Sequence, residues 1–166
     1  MSLPLFRETV RPEWIDYNGH LSEAFYVLVF GHATDALMDA TGLDSAYREA
    51  TGCSLYTVEA HVRYLRDVGE GSHLGVRTRV VGAHAKKLHF THEMYVVDGP
   101  AADPAPGAAP VATTELLALH VDQEQGRSVP FPGPVRERHE ELVEEAAEWV
   151  GRAVGARPAR GGRSSG

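Results

Sequence analysis

Cysteine is almost missing from this chain, Cys53 being the single one. No internal disulfide can form, and a reducing cytoplasm is the expected location. No run approaches the ~18–20 apolar residues of a membrane span, so no membrane partner is expected. The opening residues lack a basic segment followed by an apolar core, so export is not expected either. Positive charge is also scarce. A net charge of −7 argues against nucleic acid as a partner. Arg157, Arg160 and Arg163 stand without an acid in residues 153–166, which read as a basic, disordered tail behind a domain at 1–152. No internal repeat is visible. At 166 residues with 43% hydrophobic content, the composition is that of one globular domain.

Residues 3–10 read as a short strand ended by Pro12. From Leu21 to about Thr41 the pattern is helical, with Ser22 a candidate N-cap and Gly42 a candidate stop. Ala24–Gly31 carry no charge on any face, which predicts burial over the first two turns. Leu43–Gly52 reads as a short helix or turn. Beyond Cys53 the period becomes two, and Tyr56, Val58, Ala60, Val62 and Tyr64 form one predicted face. Three more strands are expected at 73–82, 86–97 and 111–122. The links at 67–72 and 82–86 look hairpin-like, so the four later strands are expected to form an antiparallel meander. The Ala/Pro-rich stretch 99–110 reads as an extended loop, and a final helix is expected over 135–150. The fold class is α+β, a curved antiparallel sheet wrapped around a buried helix, with a C-terminal helix. Open sheet edges predict a homodimer or homotetramer.

The segment Trp14-Ile-Asp-Tyr-Asn-Gly-His-Leu-Ser-Glu-Ala-Phe-Tyr fits no simple strand or helix pattern. It resembles the motif of the 4-hydroxybenzoyl-CoA thioesterase family, in which an aspartate precedes Gly-His and a buried helix. Here the aspartate is Asp16, followed by Gly19, His20, Tyr26 and Phe30. The resemblance runs over roughly residues 5–132 and implies the hotdog fold and hydrolysis of an acyl-CoA thioester. Trp14 replaces the family's first aspartate, and Leu21-Ser22-Glu23 replaces Val-Asn-Asn. Those departures are similar to the branch found with carnitine dehydrogenases, which implies betainyl-CoA or another short acyl-CoA as substrate.

Thioester hydrolysis needs a carboxylate that attacks the carbonyl or activates water, with donors for the developing oxyanion. Asp16, at the entry to a helix N-terminus, is the candidate catalytic group; its simpler reading is a turn-former. Candidate substrate-binding residues are Trp14, Tyr17, Asn18, Gly19, His20, Glu23 and Tyr26. Asn18 and Gly19 also read as turn residues, His20 as a loop-bonding side chain, and Glu23 as an exposed first-turn acid. Lys86, Lys87, Arg63, Arg66 and Arg127 are candidates for the CoA phosphates, though each is more readily read as an ordinary solvated surface charge.

His61, His89, His92 and His120 show no recognised zinc spacing, so no metal is expected, and no cofactor beyond the CoA of the substrate. His89 and His92 should face opposite sides of one strand. Two alternatives remain open: an enoyl-thioester hydratase on the same scaffold, and a non-catalytic acyl-CoA or acyl-carrier binding module.

Overall fold

The structure, a computed structural model, describes residues 2–155; most of the tail expected at 153–166 lies outside them. Strand β1 (Phe6–Thr9) leads through a 3-10 turn (Pro12–Trp14) into helix α1 (Glu23–Thr41) and the short α2 (Ser45–Thr51). Four long strands follow: β2 (Cys53–Tyr64), β3 (His73–Ala83), β4 (Lys87–Val97) and β5 (Ala112–Asp122). The two-residue β6 (Arg127–Ser128) and helix α3 (Gly133–Leu142) come last. The strands form one antiparallel sheet in the order β1-β3-β4-β5-β2, with β6 beside β5. It is the expected α+β hotdog arrangement, a curved sheet holding α1.

Helix α1 starts after Ser22 and stops at Gly42, whose left-handed backbone (φ 91°) donates its N–H to the Met38 carbonyl. Tyr26, Val29, Phe30, Ala33, Leu37 and Met38 make its buried stripe. Full burial of a side chain such as Val29 or Phe30 stabilises by roughly 1.5–3 kcal/mol. The first two turns are not buried all round, however, because the sheet covers one side only. Val27 and Leu28 face outward, 48% and 39% exposed.

His92 sits between helix and sheet, fully buried. Its Nε2 lies 2.9 Å from Thr34 Oγ1 and its Nδ1 2.8 Å from Thr78 Oγ1. Thr34 already donates to the Phe30 carbonyl. All three groups are satisfied when Nε2 carries the proton and Nδ1 accepts from Thr78. Burial holds this imidazole neutral, its pKa lowered to about 3. His89, as expected, faces the other side of the sheet, where it pairs with Glu115 at 2.8 Å.

Further expectations need correction. The later strands are not a four-strand meander, because β2 pairs with β5 and lies at the edge opposite β3. The link after Tyr64 is therefore a crossover and not a hairpin. Its apolar residue explains the path: Val68 is buried in the core with Trp14, Leu21 and Tyr26. The backbone of the link is fixed by bonds from Leu21 N to Val68 O and from Val10 N to Ser72 O, at 2.7 and 2.9 Å.

The inward face of β2 also changes phase. Its register with β5 slips between Thr57 and Glu59, leaving Val58 as the extra residue of a bulge. Leu55 and Thr57 face α1 before it, and Ala60, Val62 and Tyr64 after it. Tyr56 and Val58, expected on that face, are instead exposed.

The last helix ends at Leu142 and does not run to residue 150. β1 covers only His73–Val76 of β3, so the far half of that edge is open. Val143 bridges to Val80, and Glu144 N donates to the Val80 carbonyl at 2.8 Å. An edge hydrogen bond outcompetes helix propensity there. The chain then crosses the outer sheet face, where Gly151 N donates to Glu115 at 2.7 Å.

Candidate active site

The segment Ile15–Leu21 folds as a tight turn closed by a bridge between those two residues. Gly19 N donates to the Asp16 carbonyl and Asp16 N to the His20 carbonyl, both at 3.0 Å. Gly19 has φ 80°, a left-handed geometry that glycine enters without steric cost. The Asp16 side chain also serves the turn, its Oδ1 accepting from Asn18 N at 2.8 Å. Among the described residues Oδ2 takes no hydrogen bond, so half of this partly buried carboxylate remains available for chemistry. The turn-former and catalytic readings of Asp16 are thus compatible.

The next residues build the helix end. Ser22 N donates to the Trp14 carbonyl, and the Ser22 side chain makes no capping bond. Among the described residues the N–H groups of Glu23 and Ala24 have no protein acceptor. Two free donors at the positive end of a helix dipole, next to a carboxylate turn, suit an oxyanion.

Beside the turn opens a pocket of ≈ 490 Å³ lined by Leu21, Glu23, Tyr26, Tyr64, Leu65, Arg66 and Asp67. Helix α1 supplies one wall and the crossover leaving β2 supplies the other. Tyr26 and Tyr64 meet edge to face, with ring centroids 5.2 Å apart and planes at 89°. Burial chiefly, then the nearby acidic groups of Asp67, Tyr64 and Asp16, push the Tyr26 phenol pKa up. Burial and Glu23 do the same for Tyr64. Both phenols stay neutral, and the influence of Asp16 on Tyr26 ties the turn electrostatically to the pocket.

Asp16 itself does not line this pocket; of the residues expected to bind substrate, Glu23 and Tyr26 do. Asn18, Gly19 and His20 form the exposed turn at its side, with His20 Nδ1 4.0 Å from Asp67. Tyr17 is at the tip of the turn, 97% exposed. Trp14 is buried, its ring stacked on Phe25 at 5.7 Å with the Arg11 guanidinium 5.3 Å away. Sequence reasoning missed Leu65 and Asp67. The signal for them was Val68, an apolar residue in a polar link, which pulls its neighbours against the helix. Among the CoA candidates, Arg66 lines this pocket, and Arg63 lines an adjoining groove with His61, Tyr64 and Arg152.

A second cavity of ≈ 320 Å³ lies farther along α1, between Val27, Gly31 and Met38 of the helix and Leu55, Ala60 and Leu116 of the sheet. Among the described residues no group of three or more His, Cys, Asp or Glu side chains is placed to hold a metal ion. No described helix is long and apolar enough to cross a membrane.

Comparison with known proteins fits this geometry. Residues 10–149 match the model of the family described as the thioesterase-like superfamily. The chain is 45% identical over 163 residues to a betainyl-CoA thioesterase of Pseudomonas aeruginosa, covering 95% of this chain and 98% of that one. It is 43% identical over 130 residues to an L-carnitine dehydrogenase/betainyl-CoA thioesterase of Agrobacterium fabrum, matching 78% of this chain and 25% of that larger protein. A candidate thioesterase from Pseudomonas putida superposes with a TM-score of 0.75 at 35% identity, over 95% of this chain and 99% of that one. A Staphylococcus aureus protein solved in complex with CoA shares the fold, with a TM-score of 0.79 at 23% identity over 94% and 98% of the two chains.

Proposed function

This chain belongs to the thioesterase-like superfamily and hydrolyses acyl-CoA thioesters, and from that premise we propose that its substrate is betainyl-CoA or a similar short, cationic acyl-CoA. Membership removes the ground for the hydratase and binding-module alternatives. The observation that carries the substrate reading is the pocket lined by Leu21 at the end of the Asp16 turn, which combines two tyrosine rings with two carboxylates. A positively charged acyl group gains there from ring faces and from opposite charge.

In the proposed reaction, the free oxygen of Asp16 takes a proton from water while the water oxygen attacks the thioester carbon. The alternative route is direct attack by the carboxylate, giving a mixed anhydride that water then opens. In both, the carbonyl oxygen gains negative charge and is received by the N–H groups of Glu23 and Ala24. The carbon–sulfur bond then breaks: in the first route CoA leaves as the thiol, taking the proton that Asp16 received from water, and in the second it leaves as the thiolate and is protonated when water opens the anhydride. No cofactor enters. Asn18 and Gly19 hold the turn, His20 and Tyr17 border the approach to it, and Trp14 seats the turn on the core. Arg66 and Arg63 face the phosphates of CoA.

The working unit is a homodimer or homotetramer. The edge of β2 is unpaired among the described residues, and Val27, Leu28 and Val58 leave apolar surface exposed around it. A reducing cytoplasm suits its single cysteine.

A panel of acyl-CoA esters with free-thiol detection tests the substrate. Betainyl-CoA should exceed acetyl-CoA and benzoyl-CoA in kcat/KM by about tenfold or more, a difference of ~1.4 kcal/mol in transition-state binding. Faster turnover of an uncharged ester would replace this reading with a general short-chain thioesterase.

A further inference from the structure

We infer that Tyr64 and Asp67, on the segment leaving β2, form with Tyr26 and Glu23 a quaternary-ammonium subsite that sets the choice of acyl group. This rests on the betainyl-CoA reading and names the residues that would enforce it.

The argument begins with the size of the substrate. In a betainyl thioester, the nitrogen is one methylene from the reacting carbonyl, so the two atoms are only ~2.5 Å apart. A subsite for the head group must therefore adjoin the catalytic carboxylate. Asp16 does not line the 490 Å³ pocket but lies close to it: its charge acts on the Tyr26 phenol, and Leu21 of the lining bridges Ile15, the residue before Asp16.

Aromatic surface comes next. The two rings meet edge to face at 89°, and a cation resting against Tyr64 has Tyr26 packed beside it. Tyr64 provides the open surface, being 43% exposed, while Tyr26 at 4% forms the floor. Trp14 is excluded from this role by its own packing. Phe25 stacks on its ring, and the Arg11 guanidinium approaches it.

Charge points the same way. Glu23 and Asp67 reach the pocket from opposite walls against the single guanidinium of Arg66, so its lining is net acidic. Substrate polarity explains that mixture. The acyl end of betainyl-CoA is a cation and the other end is a polyanion, and Arg66 with Arg63 in the adjoining groove suits the second. A neutral acyl group would gain nothing from two carboxylates and would lose by displacing their water.

The test compares kcat/KM for betainyl-CoA with that for 3,3-dimethylbutyryl-CoA, which has the same shape without the charge. Wild type should favour the cation by about tenfold or more. Asp67→Asn and Tyr64→Leu should each cut that ratio by about threefold to tenfold, whereas Tyr64→Phe should keep it within about twofold, because the attraction needs the ring and not its hydroxyl. Competitive inhibition by choline, measured against 3,3-dimethylbutanol, should weaken in the same two variants. A wild-type ratio near one would overturn the substrate reading and the subsite together. A strong wild-type preference that survives both Asp67→Asn and Tyr64→Leu would overturn the subsite alone and leave the substrate reading standing.

Discussion

The phenol of Tyr26 donates a hydrogen bond to the Arg66 carbonyl at 3.1 Å. This bond ties the first turn of α1 to the crossover between β2 and β3. Tyr26 sits on the helix that follows the Asp16 turn, and Arg66 flanks Asp67. Both walls of the pocket are thereby held to one another by a side chain that is itself buried. Preorganisation of this kind is what a site needs if charge stabilisation is to operate without first moving the protein.

The catalytic role proposed for Asp16 predicts the behaviour of its amide. Asp16→Asn keeps the acceptor for Asn18 N–H, so the turn should persist, with an unchanged circular dichroism spectrum and urea midpoint. Turnover should fall by roughly 10²–10⁴-fold, the contribution of a positioned acid–base group. Activity within a few-fold of wild type would reassign the chemistry.

Gly19 should matter through its backbone. A methyl group there meets no atom within 4 Å, but φ is +80°. Gly19→Ala should therefore cost about 1–2 kcal/mol of stability from left-handed strain and lower kcat as the turn relaxes and re-aims Asp16. Gly19→Asn should be milder, since asparagine tolerates this region. Equal stability and activity in Gly19→Ala would mean that the turn does not aim the carboxylate.

The free edge of β2 predicts assembly. Light scattering at micromolar concentration should give twice 18.0 kDa or a higher even multiple. Val58→Lys, which puts a charge on the exposed bulge, should shift the population towards 18.0 kDa. A fully active wild-type monomer would refute this.

His92 makes stability depend on pH in a definite direction. Its folded pKa, about 3, lies below the ordinary value of 6.5, so between those values the unfolded chain binds more protons. Stability is full above about pH 6.5 and declines as pH falls towards 3, by at most about 1.4 kcal/mol per pH unit for one proton. His92→Gln should flatten the dependence of the urea midpoint between pH 7 and 4.5. An unchanged slope would show that other groups govern acid unfolding.

Much of the fold was legible because it is written locally. Helix α1 and its stop at Gly42 follow from a continuous apolar run and one left-handed glycine, and the strand segments follow from their period. The features that escaped were settled by distant partners. The bulge at Val58 is invisible in a period-two pattern, since valine extends the apolar series while the register with β5 slips. The end of α3 depends on an open stretch of β3 edge that helix propensity cannot sense. At the site, Asp16, Glu23 and Tyr26 lie within one motif and could be read together. Asp67 could not, because only the crossover brings it to them.

That crossover also determines when the site comes into being as the chain folds. The Asp16–Gly19 turn is a local contact of a kind that closes within roughly 1–10 μs. The opposite wall depends on β2 finding β5 and on Val68 reaching the core, both long loop closures and therefore slow. The Asp16 turn should thus form before the opposite wall of the pocket. The same order in reverse governs the native molecule: if residues 65–72 detach, the turn and most of the sheet survive while the binding wall is gone. Activity should then disappear in a local opening well before the protein unfolds, making thiol release a more sensitive gauge of early denaturation than any spectroscopic signal from the sheet.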